Sequence, residues 1–490
     1  MQKFLGRVVW RILKAVLYCA LGAAVTLVVA AIFVLNNKPD LEIWHVAKLD
    51  EEFTAKSQVT TFAEYLELED RLFAQLDTEV CDKLDEADRS QINRFNAGSL
   101  SDPGRWPTNW NRSYELAVDA GRGGAKAGVL LIHGLSDSPY SLRNIGASLN
   151  AAGAHVVGLR VPGHGTAPAS LTRTRWKDMT SAVEIAMRHL AEVADGRPLY
   201  LVGSSNGAAL AVKYGLSAIE DEALPNLDGI VLISPQIGVT PVAGLAVWQE
   251  RAGRLLGLRK LSWKSVLLEY DPFKYGSFPI NAGKVAYELT KQNRSALGRL
   301  AKTGKLGDFP PVLCFQSVVD ATVSARAVVD DLFALLPENG HELVAIGLNR
   351  TIESEPILRP DLRSAAYRVT EDPSRSFVFT LLANATPESL EVAERKWGVG
   401  EVDSIDRPLG LSWPERVYSL SHVALPFPEN DPLYGSERSA SDPGVHIGDV
   451  SLRGERDVIL IPAGELLRQR WNPFYPYLEA RILDRLGLAG

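Results

Sequence analysis

The sequence has little cysteine and no excess of basic residues, and each shortage excludes a class of protein. Its 490 residues include 3 cysteines, at positions 19, 81 and 314, which lack the spacing of metal ligands or of a disulfide framework. A pairing of Cys81 with Cys314 is left open. The net charge of −7 does not favour a nucleic acid as a partner. With 46% hydrophobic residues, 40 glycines and 28 prolines, the composition also excludes a disordered or collagen-like chain.

Long hydrophobic runs are also scarce, with one exception near the N-terminus. Residues 15–35 carry no charge and follow Lys3, Arg7, Arg11 and Lys14. As a helix, this run is about 30 Å long, which matches the hydrocarbon core of a bilayer. A cleaved signal peptide is the alternative, although its apolar region normally has only about 7–15 residues.

These features predict a single-pass membrane protein anchored by residues 1–40. The basic residues before the apolar run favour a cytoplasmic N-terminus. The rest of the chain then lies on the extracytoplasmic side, which is the periplasm if the source is a Gram-negative bacterium. The sequence contains no second run of this kind.

Residues 41–112 are predicted to form a helical extension and a linker. Apolar side chains recur at helical spacing over residues 59–84, for example at Phe62 and Leu76. The polar face of this helix is acidic and anionic lipid would repel it, so we expect the helix to pack on the main domain rather than lie on a membrane. Residues 96–111 are rich in Pro, Gly, Asn and Trp, which is typical of a linker.

From residue 113 onward, short apolar runs alternate with amphipathic helical patterns. The predicted strands are residues 128–132, 156–159, 199–202, 229–233 and 311–316, and a last helix is predicted over residues 472–486. Because parallel strands need crossover connections, this alternation predicts an α/β fold with a mainly parallel sheet and helices on both faces. Ligands in such sheets bind at the carboxyl ends of the strands, so the chemistry is expected directly after them.

The strand at residues 199–202 is followed by Gly203-Ser204-Ser205-Asn206-Gly207. This segment matches Gly-x-Ser-x-Gly between a strand and a helix, the turn that exposes a nucleophilic serine. The glycines permit a strained turn, and N–H groups at the start of the next helix favour a developing negative charge. Ser205, rather than Ser204, is flanked by both glycines and is the predicted nucleophile. An ordinary glycine-rich turn is the alternative, because so short a motif also arises by chance.

Two other predicted strands are followed by segments that contain histidine, His133-Gly134-Leu135 and Pro162-Gly163-His164. An acyl-transfer enzyme needs two N–H donors for its oxyanion, and the backbone amides of Leu135 and Asn206 are the natural pair. His133 is a candidate base, but a histidine between a strand and a glycine more often braces the oxyanion loop. His164, within a turn, is a weaker candidate.

Three segments resemble the α/β-hydrolase superfamily: VLLIHGLSDSPYSLR from residue 129, LRVPGHGTAPASL ending at residue 171, and LVGSSNGAAL at residues 201–210. The likeness is greatest to its lipase-like and esterase-like members related to monoacylglycerol lipases and serine aminopeptidases. It covers residues 114–316 well and the C-terminus more weakly. The resemblance implies a triad of serine, acid and histidine in that chain order, with no metal or organic cofactor.

The acid of this triad is assigned on the same resemblance. Asp320 lies in a turn, SVVDATV, that follows the strand at residues 311–316 and resembles the acid turn of these hydrolases. A helix N-cap is its alternative role. Asp330 and Asp331 fall on a predicted helix and are expected to face solvent.

His422 is the predicted base, at the end of a final strand over residues 417–422. The alternatives are His446, in a glycine-rich loop, and His341, which comes sooner after the acid. About one hundred residues separate Asp320 from His422, more than in family members without insertions. This distance implies an insertion over residues 348–413 with at least one strand, at residues 377–382.

Residues 236–307 stand where this fold usually carries a cap, and they are rich in aromatic residues. Seven lie within 40 residues: Trp248, Trp263, Tyr270, Phe273, Tyr275, Phe278 and Tyr287. Such residues suit an apolar acyl pocket and equally a small helical core. Together with the predicted anchor, they favour a lipidic ester as substrate.

The expected function is therefore that of a membrane-anchored serine hydrolase that cleaves carboxylic esters through an acyl-enzyme. The same constellation also serves peptidases, thioesterases and perhydrolases, because a fold does not decide the substrate. A non-catalytic, membrane-tethered binding protein with this fold is the other alternative.

Overall fold

The structure, a computed structural model, describes residues 2–36, 38–118, 124–238, 258–320, 322–351, 369–439, 441–448, 464 and 468–489. The α-helices in these ranges are α1 (Gln2–Asn36), α2 (Ile43–Val46), α3 (Phe62–Glu79), α4 (Arg143–Ala151), α5 (Trp176–Ala194), α6 (Asn206–Glu220), α7 (Ile280–Thr303), α8 (Ala325–Asp331) and α9 (Tyr475–Arg485). The strands are β1 (Tyr114–Leu116), β2 (Ala127–Ile132), β3 (Ala154–Leu159), β4 (Leu199–Ser204), β5 (Gly229–Ile233), β6 (Trp263–Ser265), β7 (Phe278–Pro279), β8 (Val312–Ser317), β9 (Glu342–Ile346), β10 (Val378–Asn384), β11 (Glu391–Trp397) and β12 (Ile405–Ser412).

Ten strands form one sheet in the order β1-β3-β2-β4-β5-β8-β9-β10-β11-β12. All neighbours from β3 to β10 pair in parallel, whereas β1 at one edge and β11 and β12 at the other are antiparallel. β6 and β7 form a separate antiparallel pair. The predicted α/β fold with a mainly parallel sheet is confirmed, and all five predicted strands are present as β2, β3, β4, β5 and β8.

The sheet separates two hydrophobic cores because successive side chains of a strand point to opposite faces. In β2, Leu130 and Ile132 face the core that α5, α6 and α7 cover. Val129 and Leu131 face the other core, under α4 and α9. This double covering explains why β2 is a continuous apolar run rather than an alternating one.

The helical extension packs on the sheet domain through α3. Thr61 and Glu64 form a capping box at its N-terminus. The Tyr65 hydroxyl donates to the Arg160 carbonyl (2.7 Å), and the buried Glu69 carboxylate pairs with the Arg160 guanidinium (3.0 Å). The acidic face of this helix therefore supplies a partner for a buried arginine.

The N-terminal helix α1 runs through the predicted membrane segment at residues 15–35. Side chains such as Trp10, Leu13 and Leu17 are exposed on it. Within the residues that the structure describes, however, no helix has both the length and the apolar character needed to cross a bilayer. The predicted transmembrane helix is thus not supported by the structure.

The cysteines are free thiols, so the disulfide that the sequence left open is not formed. Cys314 is buried in β8, and burial raises the pKa of the half-buried Cys81 to about 12. Neither thiol is a nucleophile near neutral pH, because the reactive form is the thiolate.

The final strand predicted over residues 417–422 is wrong, because this segment has no regular secondary structure. β9 already pairs with both β8 and β10, which leaves no free edge for a further strand there. Polar side chains hold the segment instead: Asn349 Nδ2 donates to the Val417 carbonyl (2.9 Å) and Ser317 Oγ to the Leu420 carbonyl (2.9 Å).

The predicted insertion over residues 348–413 contributes three strands, β10, β11 and β12. The strand expected at residues 377–382 is present as β10, and the insertion extends the sheet beyond β9. Residues 352–368 lie outside the described part of the chain.

Part of the predicted cap at residues 236–307 belongs to the helical layer. Asn293 on α7 donates to the Ala209 carbonyl of α6 (2.7 Å), so α7 lies against the sheet domain. Residues 239–257, with Trp248, lie outside the described residues. Trp263 and Phe273 are buried, with Phe273 stacked on Tyr140 at 4.4 Å. Phe273 thus belongs to a buried aromatic cluster, and Trp263 packs edge-on against the His45 ring at 4.9 Å.

Candidate active site

Ser205 lies at the sharp turn between β4, which ends at Ser204, and α6, which begins at Asn206. Its backbone has φ 52° and ψ −113°, a conformation that L-residues rarely adopt. The Ser205 N–H donates to the Ile233 carbonyl at the end of β5 (2.9 Å), and the Ser205 carbonyl accepts from the Gln236 N–H (3.1 Å). The surrounding strands therefore hold the strained residue in place.

The two glycines of the motif are required by close backbone approach. A Cβ atom on Gly207 would lie 2.0 Å from the Ile132 carbonyl oxygen, and one on Gly203 would lie 2.5 Å from the Gly207 carbonyl oxygen. Real Cβ atoms do not come so close to backbone atoms. The motif is thus a tightly packed strand-to-helix turn, as the sequence predicted, and not an ordinary glycine-rich loop.

The loop at residues 133–138, named the oxyanion loop after its predicted role, follows β2 and passes directly over this turn. A Cβ atom on Gly134 would lie 3.2 Å from the Cβ atom of Ser205. The Asn206 N–H is at the first position of α6 and has no partner within that helix. The Leu135 N–H donates to no other residue in the described parts of the chain. Within the described residues, neither predicted oxyanion donor is therefore taken by a backbone acceptor, and Gly134, the residue before Leu135, contacts Ser205.

His133 is a structural residue. Its Nε2 accepts a hydrogen bond from the Val161 N–H (3.0 Å), so its Nδ1 carries the proton and donates to the Gly134 carbonyl (2.8 Å). Burial, followed by the neighbouring His164, keeps its pKa well below the ordinary value. The ring braces the oxyanion loop and has no free nitrogen for proton transfer, which agrees with the alternative that the sequence favoured. His164 is also fully buried, in the turn beneath it.

Asp320 and His422 are brought together from positions about one hundred residues apart. Asp320 Oδ1 lies 3.8 Å from His422 Nδ1, and the Asp320 side chain is fully buried. Asp320 Oδ1 accepts from the N–H groups of Thr322 (2.8 Å) and Val323 (3.0 Å), while its Oδ2 accepts from Gln316 Nε2 (3.3 Å). Catalytic hydrogen bonds are often long in a free enzyme and shorten when substrate binds.

The charge state of this pair follows from burial. Burial raises the pKa of the Asp320 carboxyl, and the N–H groups that it accepts oppose the shift. Burial lowers the pKa of His422 to about 3, and the positive charges of Lys274 and Arg468 act in the same direction. His422 is therefore neutral at physiological pH, which is the form that can accept a proton from a serine.

The alternative bases have other partners. His341 Nδ1 accepts from the Val312 N–H (3.1 Å) at the start of β8, at the opposite end of the strand from Asp320. His446 Nδ1 lies 3.8 Å from Asp442 and 3.2 Å from the Pro432 carbonyl. Asp330 and Asp331 lie on or at the end of α8 and pair with Arg326 and Arg294 rather than with a histidine.

Two side chains near the site carry no signal in the sequence. Lys274 and Asp137 line one pocket together with Val423, the residue directly after His422. Asp137 belongs to the oxyanion loop, so this pocket joins the loop beside Ser205 to the segment that carries His422. Of the two residues, only Asp137 could have been predicted, from its position in the oxyanion loop. Lys274 lies in the aromatic segment, where no motif marks it.

A larger cavity of about 360 Å³ lies elsewhere, under α8 and beside β9 and β10. Its lining includes Gln316 but none of Ser205, Asp320 and His422. It is therefore not assigned to the substrate.

Residues 123–327 match the family model described as serine aminopeptidase, S33. A thermostable monoacylglycerol lipase of Bacillus sp. (strain H-257) is 29% identical over 116 residues, which are 24% of this chain and 43% of that relative. The chain thus spans less than half the length of the curated relative that it matches. Over residues 123–327, the chain is similar to the α/β-hydrolase superfamily. Within this superfamily, the two matches indicate the branch that resembles monoacylglycerol lipases.

Solved structures of lipolytic enzymes are similar to part of this one. One comes from work on two metagenome-derived lipolytic enzymes and is 22% identical, with a TM-score of 0.39, over 48% of this chain and 87% of that chain. The monoacylglycerol lipase of Paleococcus ferrophilus is 17% identical, with a TM-score of 0.36, over 48% of this chain and 88% of that chain.

Proposed function

We propose that this α/β-hydrolase is a serine esterase or lipase that cleaves carboxylic esters through an acyl-enzyme. The observation that carries the proposal is the strained Ser205 between β4 and α6, packed against Gly134 of the oxyanion loop. Backbone strain of this kind is kept at functional sites, where the surrounding structure compensates for it. The pairing of Asp320 with His422 at 3.8 Å is the second support.

In the proposed mechanism, His422 takes the proton from the Ser205 hydroxyl as the oxygen attacks the ester carbonyl. Asp320 orients the imidazole and stabilises the imidazolium that forms. The backbone N–H groups of Leu135 and Asn206 stabilise the oxyanion of the tetrahedral intermediate. His422 then protonates the leaving alcohol, and water repeats the sequence on the acyl-enzyme to release the acid. No step needs a metal or an organic cofactor.

A lipidic acyl group is the proposed substrate class, and its support is the monoacylglycerol lipase relative rather than the aromatic segment. Trp263, Phe273 and Tyr275 are buried by contacts within the protein. These buried residues do not define a preferred acyl-chain length, which is measured with esters of different chain length.

The test uses p-nitrophenyl esters of increasing chain length beside aminoacyl p-nitroanilides and an acyl thioester. We expect the esters to be hydrolysed best, and we expect Ser205→Ala, His422→Gln and Asp320→Asn to lower kcat by about 10³-fold or more without loss of fold. Preference for the anilides would favour an aminopeptidase, in line with the name of the matched family. Failure of every substrate, with no reaction of Ser205 with a fluorophosphonate, would favour a binding protein.

Attachment to a membrane through α1 also stays a proposal. Its support is the basic residues at the N-terminus and the exposed apolar side chains of α1, such as Leu17 and Leu21. Fractionation of cells that express the full chain, with a variant that starts at Lys38 as control, tests it. We expect the full chain in the membrane fraction after a high-salt wash and the shorter variant in the supernatant, and recovery of both in the supernatant would contradict the proposal.

A further inference from the structure

The cavity of about 360 Å³ lies between α8 and the face of the sheet formed by β8, β9 and β10. We call it the α8 cavity; Val329 of α8, Leu343 of β9 and Phe379 of β10 are among the residues that line it. Its volume falls within the range of about 300–1,000 Å³ that is typical of small-molecule sites. The proposed ester mechanism gives it no role.

The floor of the α8 cavity is set by the register of the three strands. Gln316 of β8 pairs with Ala345 of β9, and Leu343 of β9 pairs with Phe379 of β10. Residues two apart on a strand share a face, so these four side chains point to the same side of the sheet, and all four are buried. The space arises over Ala345, because its methyl group is much smaller than the side chains around it.

The charged side chains that line the cavity are already paired. Arg326 Nε lies 2.8 Å from Asp330 Oδ2. The Arg375 guanidinium donates to four backbone carbonyls, those of Val369, Phe377, Gly398 and Glu401. Neither arginine therefore offers an unpaired charge to an anionic ligand, and the lining favours an uncharged one.

One polar group on the buried floor has no partner. Gln316 Nε2 donates to the Ser317 carbonyl (3.0 Å) and to Asp320 Oδ2 (3.3 Å). Gln316 Oε1 is buried and accepts no hydrogen bond from the described residues, which is unfavourable for a buried acceptor. A buried water needs about 2–4 polar partners, whereas Ala345, Leu343 and Phe379 beside Gln316 are apolar. A hydroxyl group on an apolar molecule satisfies both surfaces.

From this geometry we infer that the α8 cavity is a second ligand site, which binds an uncharged, chain-like amphiphile such as a fatty alcohol. Its hydroxyl donates to Gln316 Oε1, and its chain lies against Val329, Leu343 and Phe379. Because Gln316 Nε2 donates to Asp320, the ligand lies one side chain away from the proposed catalytic acid. The inference goes beyond the proposed function and does not depend on it.

Photoaffinity labelling of the full chain tests this inference. The probe is 1-octanol with a diazirine on its alkyl chain, and the solvent contains digitonin, a detergent whose fused-ring skeleton is too large for the cavity. Peptide mapping by mass spectrometry locates the adduct after irradiation. We expect the adduct on peptides from α8, β9 or β10, and we expect excess unlabelled 1-octanol to lower the labelling at least tenfold.

Competition by related molecules tests the role of Gln316. 1-Methoxyheptane is an isomer of 1-octanol without a hydrogen-bond donor, and octanoate carries a charge. We expect 1-octanol to compete about fivefold better than 1-methoxyheptane, which corresponds to one net hydrogen bond, and octanoate to compete less well than either. In Gln316→Met the acceptor is lost, so 1-octanol and 1-methoxyheptane should compete equally.

A variant that fills the cavity tests its location. Ala345→Leu is expected to lower the labelling about tenfold, and its melting temperature should not fall, because the added side chain occupies empty space. The matched control is Ala301→Leu, at an exposed position of α7 outside the cavity, which should keep the wild-type labelling. The competition experiments on wild type decide the question even if Ala345→Leu does not fold.

The contrary outcomes are distinct. An adduct outside the α8 cavity, labelling that excess 1-octanol does not displace, or equal labelling of wild type and a folded Ala345→Leu overturns the inference. Equal competition by the two isomers in wild type overturns the hydrogen bond to Gln316, and stronger competition by octanoate overturns the preference for an uncharged ligand. None of these readouts involves ester hydrolysis, so each of these failures leaves the proposed function intact.

Discussion

Individual residues around Ser205 carry an unusual amount of backbone strain. Ser136 in the oxyanion loop and Ser234 after β5 have φ values of 62° and 45°, and Ser205 itself has φ 52°. All three are serines, for which positive φ values are costly. They converge at the carboxyl ends of β2, β4 and β5, which is where the chemistry of a parallel sheet is expected.

The strain at Ser205 makes a prediction about stability. Ser205→Gly should have a free energy of unfolding about 1 kcal/mol higher than Ser205→Ala, because glycine adopts this conformation without a Cβ clash. Both variants should be inactive. Urea denaturation of the two proteins measures the difference.

The control for that comparison is Ser295, an exposed position inside α7. There the order should reverse, with the glycine variant about 1 kcal/mol less stable than the alanine variant, because helix interiors favour alanine. The same order at both positions would show that Ser205 is not strained.

The charge environment of His422 predicts the pH dependence of activity. Its pKa of about 3 in the free protein, set first by burial and then by Lys274 and Arg468, means that the neutral, active imidazole persists far below the ordinary value of 6.5. Protonation removes activity only as the pH falls through the lowered pKa. The acidic limb of kcat/KM for a neutral ester should therefore lie well below pH 6.

Lys274→Gln removes one of the charges that lower this pKa, so the acidic limb should move to higher pH. The burial of His422 is unchanged in this variant, so the acidic limb should still lie below the ordinary histidine pKa of 6.5. A wild-type limb between pH 6 and 7 would contradict the account of His422, as would a limb that moves to lower pH in the variant.

At the scale of secondary structure, one arginine reinforces the attachment of the extra strands, which join the sheet by the pairing of β10 with β9. Arg481 on α9 reaches Glu342 of β9 (2.6 Å) and Glu394 of β11 (3.5 Å). All three side chains are less than one-fifth exposed. The helix thus links the parallel part of the sheet to the antiparallel extension.

Arg481→Met should lower the free energy of unfolding by about 3 kcal/mol, because two buried carboxylates lose their shared cation. Urea denaturation at neutral pH measures the loss. The matched control is Arg299→Met, which breaks an exposed pair with Glu220 and should cause no measurable change. Equal effects of the two substitutions would mean that the link through α9 does not stabilise the sheet.

The elements that the sequence predicts well are those whose pattern is local. The strands β2 to β5 and β8 are apolar runs because both faces are covered, and the turn at Ser205 is marked by glycines that close backbone contacts demand. The segment before His422 resembles a strand in its sequence but is held by side chains of Asn349 and Ser317, which lie far away in the chain. No local sequence pattern indicates contacts between residues so far apart in the chain.

The residues of the candidate site also differ in how well the sequence predicts them. Asp320 is marked by the turn after β8, whereas the pocket of Lys274 unites residues from four separate parts of the chain. The aromatic segment was ambiguous because burial against protein and burial against an acyl chain require the same residue types.

On the scale of the whole molecule, the extension before β1 is part of the domain. Arg160 is fully buried and pairs with Glu52 (3.0 Å) and Glu69 (3.0 Å), both of which come from the extension. Arg94 of the extension donates to the Gly165 carbonyl (3.3 Å) in the turn after β3. Without the extension, the turn that carries His164 would lose its packing and Arg160 its carboxylates.

Truncation tests this organisation. A variant that starts at Lys38 should fold cooperatively and react with a fluorophosphonate, because the described side chains of α1 are exposed. A variant that starts at Ser113 should be insoluble or unfolded, because the buried arginine loses both partners and Tyr65 and Leu72 leave the core. Circular dichroism and thermal denaturation compare the two, and a stable fold of the shorter variant would contradict this account.

The central claim is that Ser205, activated by His422 and Asp320, forms the acyl-enzyme. The most direct measurement is peptide mapping by mass spectrometry after reaction of the full chain with a fluorophosphonate. The account predicts one adduct, on Ser205, with reaction at least 100-fold slower in His422→Gln. An adduct on another serine, or an equal rate of reaction in His422→Gln, would contradict it.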